Sequence, residues 1–289
     1  MNKIGISYAY WSENWDDNFL PLIPRAKQLG FDILEVGSGM VVDMNSAQRE
    51  ATKAAAADAG IELTFCIGLP ADCDVASEDN SVRRNGIETL KRTAEMIQQM
   101  GTGSLGGVIY GNWLGKMPEG VTDRRPAIER SIASLKEAMQ TAESCGVDFL
   151  AEPVNRFESY LMNTAAEAVA YVDQVGSPNL KILLDTFHMN IEEDVIRESI
   201  LTAGDKLAHL HLGEPNRRAP GRGRFPWDEF CAALREIDYQ GTLTMEPFLK
   251  TTGQVGRDIA VYRDLSNGVD LDDEAGRALR FLKEKLSAQ

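Results

Sequence analysis

The chain has 289 residues, of which 43% are apolar, and a formal net charge of −14. That length admits one large α/β barrel or two small domains, and that apolar fraction supports a full core. The acidic balance counts against a nucleic-acid partner, which needs a basic surface, and no run of about 18 apolar residues marks a membrane span.

The N-terminal MNKIGISYAYW has neither a long apolar stretch nor a cleavage site, so no signal peptide is expected. β-rich runs follow in order at residues 3–10, 31–36, 61–67, 104–110, 147–155, 180–188, 206–214 and 241–248. Helical patterns lie between and after them at 17–29, 46–59, 77–100, 125–145, 164–175, 192–203, 227–237 and 273–286. Gly30, Gly60, Gly101, Gly146 and Gly241 stand just before strands, where a glycine C-cap is expected. Asn163-Thr164 and Asp43 to Ser46 offer N-caps. Eight strands alternating with eight helices, without a linker, predict a single (β/α)₈ barrel domain over residues 1–289. The rival doubly wound sheet would show a Gly-rich first turn, and Tyr10-Trp11-Ser12-Glu13 is not one. Two long connections are expected, a Pro/Gly-rich loop at 215–226 and a segment at 249–272. Cys66, Cys73, Cys145 and Cys231 form no C-x-x-C pair. Reduced thiols and a cytoplasmic location are therefore expected.

The last four strands each end in polar groups: VDFLAEPVN, LKILLDTFH, KLAHLHLGE and GTLTMEPF. One group from each gives Glu152, Asp185, His211 and Glu246, at intervals of 33, 26 and 35 residues. Each interval is about one strand-plus-helix unit, and parallel strands point the same way. Neighbouring strands would thus bring three carboxylates and an imidazole to one place, the outline of a metal site. Strand alternation puts His209 on the His211 face but one layer deeper, a hydrogen-bonded histidine rather than a ligand. In Glu152-Pro153 and Glu246-Pro247 the proline holds the preceding residue extended. His188 lies three residues past Asp185, about 10 Å away along extended chain, which favours a substrate or supporting role. Glu158 should also sit at the mouth. Of Arg217, Arg218, Arg222 and Arg224, only Arg217 is near enough to a strand end for a substrate role.

The phrases VNRFE, LDTFHMNIEE, HLGEPNRR, PGRGRFPW and MEPF resemble the ketose 3-epimerases, the D-tagatose and D-allulose (psicose) 3-epimerase family. The likeness runs from YAYW to RDLSNG, almost the whole chain. It implies a TIM barrel of the xylose-isomerase-like type acting on D-tagatose, D-allulose, D-fructose and ketopentoses. It implies one divalent cation per subunit, Mn²⁺ or Co²⁺ with Mg²⁺ as the alternative, held by Glu152, Asp185, His211 and Glu246. Glu158, His188 and Arg217 would hold the C1–C3 end of the ketose. Trp113 and Phe248 would be apolar walls, Cys66 a pocket residue, and the assembly a homodimer or homotetramer. The chain departs from the pattern at Ser7, where members carry an aromatic residue, and at Pro153. It also departs at Gly106-Gly107, which should leave strand four short of side chains near Trp113. Ser7 and the glycines are expected to enlarge or polarise the pocket.

A 3-epimerase removes the C3 proton beside the C2 carbonyl and returns one to the opposite face. A divalent cation would favour the enediolate between these steps, with Glu152 and Glu246 as paired acid and base on opposite faces. An aldose–ketose isomerase on the same barrel is the alternative. A metal-dependent endonuclease would want more metal ligands and a basic groove. A non-catalytic sugar-binding module need not flank its ligand with carboxylates.

Overall fold

A computed structural model, described over residues 2–101 and 103–287, bears out the barrel. Its strands are β1 Ile4–Ser7, β2 Ile33–Gly37, β3 Glu62–Gly68, β4 Ser104–Val108, β5 Asp148–Ala151, β6 Leu180–Asp185, β7 Leu207–Leu212 and β8 Thr242–Met245. Each pairs in parallel with the next, and β8 closes on β1. The helices are α1 Leu22–Leu29, α2 Ser38–Val42, α3 Ser46–Ala59, α4 Asn80–Met100, α5 Arg125–Cys145, α6 Ala165–Val175, α7 Thr186–Glu192, α8 Ile196–Ala203, α9 Trp227–Glu236, α10 Gly253–Asp258 and α11 Leu271–Ser287.

Helical periodicity covers the barrel. In α4 the buried Ile87, Leu90, Ala94 and Ile97 recur at three- and four-residue spacing, the stripe a helix presents to a core. In α11 Ala275, Ala278, Leu279 and Leu282 do the same. Gly30, Gly60, Gly101 and Gly146 end their helices with φ between 66° and 92°, as expected of C′ glycines. Gly241 does not: a Cβ there would lie 2.3 Å from the Ala208 carbonyl, so close backbone approach is what it permits. Thr164 caps α6, and Asn45 with Gln48 forms a capping box on α3.

Some boundaries differ from the sequence pattern. The 17–29 helix begins at Leu22, the 192–203 helix is α8 and begins at Ile196, and the run expected as strand through His188 ends at Asp185, where α7 begins. The connection 249–272 carries α10, and α2 was not anticipated. All four cysteines are free. Among the described residues no helix is long and apolar enough to cross a membrane.

Contacts between strands that are not neighbours identify the interior. Glu35 of β2 meets His209 and His211 of β7. A Cβ on Gly106 of β4 would lie 2.7 Å from Leu183 Cδ1 of β6. The space above Gly106 is therefore filled by Leu183, and the residue does not enlarge a ligand pocket. Gly107 has φ +110°, and a Cβ there would lie 2.2 Å from the Ile67 carbonyl oxygen. Both features demand glycine. Gly107→Ala is expected to destabilise the barrel by more than about 2 kcal/mol, through backbone strain and displacement of β3. Urea unfolding checks this; an unchanged midpoint would show that the strand pair relaxes freely.

Candidate metal and substrate site

Glu152 and Glu246 are the first residues past β5 and β8. Each still donates one ladder hydrogen bond, Glu152 to the Gly107 carbonyl at 3.1 Å and Glu246 to the Leu212 carbonyl at 3.0 Å. Pro153 and Pro247 have no N–H, so the ladder stops there. Each glutamate is thus held by one last backbone bond at the barrel rim. Asp185 ends β6 and caps α7: its Oδ1 accepts the Phe187 N–H at 2.9 Å, which leaves Oδ2 for the site. His211 on β7 is fully buried, in register with Asp185 on one side and Thr244 on the other.

These four residues meet. Ligating atoms of Glu152, Asp185, His211 and Glu246 all lie within 4.8 Å of one another. His211 Nδ1 is 3.2 Å from Glu152 Oε1 and 3.5 Å from Glu246 Oε2. Such crowding is electrostatically costly. Burial above all pushes the Glu246 carboxyl up to about 8, and the Glu152 and Asp185 carboxylates add to it against the pull of His211 and Arg217. Burial works to lower the His211 pKa, yet Glu246, Glu35 and Glu152 outweigh it and hold it well above the usual value. Protein groups alone balance this cluster by retaining protons. A divalent cation would replace those protons, and three carboxylate oxygens with one imidazole are donors suited to it.

Around the cluster lies a cavity of about 560 Å³, a volume suited to a small molecule. Glu152, Glu158, His188, Arg217, Glu246, Trp113, Phe248, Cys66 and Ser7 all line it. The site residues read from the sequence therefore face one space, apart from Asp185 and His211, which lie deeper. Arg217 has φ +62°, unusual for a non-glycine residue. The fully buried Glu214 fixes its loop, accepting N–H bonds from Gly221, Phe225 and Trp227. The Arg217 guanidinium stacks 3.6 Å over Phe187, 3.3 Å from Asp185 Oδ2 and 3.4 Å from Glu158 Oε1. Arg218 and Arg222 turn instead to Asn267 and Glu274, and Arg224 is exposed.

Glu158 accepts from Trp113 Nε1 at 2.9 Å and from Asn155 Nδ2 at 3.0 Å. Burial would raise its pKa, but His188, Arg217 and these donors hold it below the usual carboxylate value. Burial pushes the Cys66 thiol well up, so it is a neutral wall group. The extended path assumed for His188 is overturned. Because Asp185 starts a helix, His188 comes back one turn later, with Nε2 3.6 Å from Asp185 Oδ2. The Asn155 backbone N–H donates to His188 Nδ1 at 3.1 Å, so Nε2 carries the proton and points to the site. The room for Trp113 comes not from Gly106-Gly107 but from Gly68, where a Cβ would lie 2.8 Å from the Trp113 Cβ.

Four residues of the site were missed from sequence. Glu35 is 2% exposed and sits under His211. Its signal was a charge in the middle of the otherwise apolar strand ILEVG. Trp15 packs edge-on against Trp113 and Phe248. Asn155 orients both Glu158 and His188. Ser38 lines the cavity from the β2 side, and its buried hydroxyl has no hydrogen-bond partner among the described residues. Neither Trp15, Asn155 nor Ser38 has a periodicity that would single it out.

Comparison with known proteins agrees with this geometry. Residues 23–285 match the family model of the xylose isomerase-like TIM barrel. A D-psicose 3-epimerase of Ruminiclostridium cellulolyticum is 44% identical over 282 residues, covering 96% of both chains. One from Agrobacterium fabrum is 42% identical, covering 96% of this chain and 97% of its own. The crystal structure of D-psicose 3-epimerase with D-tagatose from Clostridium cellulolyticum H10 superposes with a TM-score of 0.96 at 43% identity, covering 99% of this chain and 100% of that one. At this level of likeness, over this much of the chain and with the buried carboxylate–imidazole cluster in place, the protein belongs to the ketose 3-epimerase family of xylose isomerase-like TIM barrels.

Proposed function

We propose that this enzyme inverts C3 of free ketoses by proton removal and return between Glu152 and Glu246, with one divalent cation at the Glu152–Asp185–His211–Glu246 cluster. The observation that carries the reading is the approach of both glutamates to one side of His211 within a single sugar-sized cavity. Bound there, a divalent cation supplies Lewis acidity toward the oxygens next to C3. The oxygen-rich donor set favours Mn²⁺ or Co²⁺, with Mg²⁺ the alternative.

The chain's own residues do the rest. Arg217, His188 and Glu158 hold the C1–C3 end through their charged and N–H groups. Trp113 and Phe248 exclude water from the reacting carbon, and Cys66 fills the wall without ionising. One glutamate takes the C3 proton while the other, on the far face, holds the proton to be returned. The roles exchange with the epimer bound. D-Tagatose, D-allulose and D-fructose are the proposed ketohexoses, with ketopentoses as further substrates. Ser7 adds a polar side chain to the cavity lining, suited to a sugar hydroxyl.

The test is product identity. Cation-loaded enzyme is incubated with a panel of ketohexoses and ketopentoses, and the products are assigned by NMR. A new ketose epimeric at C3 is the expected product. An aldose would mean hydrogen transfer between C1 and C2, and the enzyme would be an aldose–ketose isomerase instead.

A further inference from the structure

Beneath the cluster, four strands contribute a chain of polar side chains in the barrel interior. Thr64 Oγ1 of β3 donates to Glu35 Oε2 of β2 at 3.2 Å. The same oxygen lies 3.2 Å from His209 Nε2 of β7. His209 Nδ1 is in turn held at 2.6 Å by Thr242 Oγ1 of β8. The other carboxylate oxygen, Glu35 Oε1, is 2.8 Å from His211 Nε2. Glu35, His209 and His211 are each 2% exposed or less.

The His211 ring is therefore addressed from both sides. Its Nδ1 faces Glu152 and Glu246, and its Nε2 faces Glu35. Neither Glu35 Oε1 nor His211 Nε2 has a hydrogen-bond partner among the described residues: at 2.8 Å they touch without hydrogen-bond alignment, and a proton on Nε2 turned toward Oε1 would satisfy both. An imidazole that gives Nδ1 to a cation keeps its proton on Nε2 and needs an acceptor there. Glu35 is the charged group in that position. A buried carboxylate is expensive unless paired, and its partners here are the two imidazoles and one hydroxyl.

We propose that Glu35 is a positioning residue of the metal centre: it holds the His211 ring through Nε2 and so selects Nδ1 as the nitrogen offered to the cation. Thr64 and the His209–Thr242 pair hold Glu35 in turn. This rests on the cation site proposed above. Glu35 does not ligate the cation; it acts through His211.

The test measures Mn²⁺ affinity directly, by electron paramagnetic resonance of free Mn²⁺ or by calorimetry, independent of turnover. Glu35→Gln keeps the shape but removes the charge and offers an amide N–H to Nε2. Its Mn²⁺ Kd is expected to rise about 10- to 100-fold, with kcat falling more than KM rises. Thr64→Val, which loosens only Glu35, is expected to weaken binding several-fold, and it carries the same test if Glu35→Gln fails to fold. Both variants folded, with wild-type Kd and only a lowered unfolding temperature, would make Glu35 a purely structural residue and overturn the inference. Wild-type protein that took up no Mn²⁺ would overturn the cation site itself, and this inference with it.

Discussion

Glu246→Gln is expected to lower kcat/KM for ketose epimerisation by about 10³-fold or more, a loss of about 4 kcal/mol in transition-state stabilisation. The amide keeps the size of the side chain and one oxygen for a cation, but it cannot accept the C3 proton. Glu152→Gln should lose a similar amount for the same reason. The two variants should differ in which epimer suffers. If the glutamates stand on opposite faces of C3, each variant retains slow exchange of the C3 proton with one epimer and loses it with the other. Deuterium exchange followed by NMR, epimer by epimer, reads this. Glu246→Gln protein that exchanged the C3 proton of both epimers at wild-type rates would sink the two-base scheme.

Removal of divalent cations by a chelator should abolish turnover and also lower thermal stability. Three carboxylates are packed around His211 with Arg217 beside two of them, and the repulsion that Arg217 leaves is relieved by protons or by an added ion. A ligand present at 100 times its Kd adds about 2.7 kcal/mol to folding stability, so Mn²⁺ should raise the unfolding midpoint by several degrees. Mn²⁺ or Co²⁺ should restore activity. Full activity in chelator with no thermal response to Mn²⁺ would show that the cluster works through protein charges alone.

The barrel was legible because its signals are local and repeated. Strand runs, helix stripes and capping glycines recur at one spacing, and parallel closure then fixes where strand ends go. The same logic brought Glu152, Asp185, His211 and Glu246 together, because one terminal group per strand converges when neighbouring strands are parallel. It failed where a side chain changes the backbone path. The run LKILLDTFH reads as strand through His188, but Asp185 spends one oxygen capping α7, and His188 returns to the site on a helical turn. Gly106-Gly107 misled for a related reason: only the three-dimensional packing shows Leu183 filling one position and the Ile67 carbonyl closing the other. Glu35 was hidden because its partners, His209 and His211, lie five strands further along the chain.

The most direct test of the account is the position of the label when cation-loaded wild-type enzyme turns over a ketose in D₂O. Proton abstraction and return by paired glutamates predicts deuterium at C3 of both epimers and at no other carbon. Label at C1 or C2, or epimerisation with no solvent deuterium at C3, would contradict it.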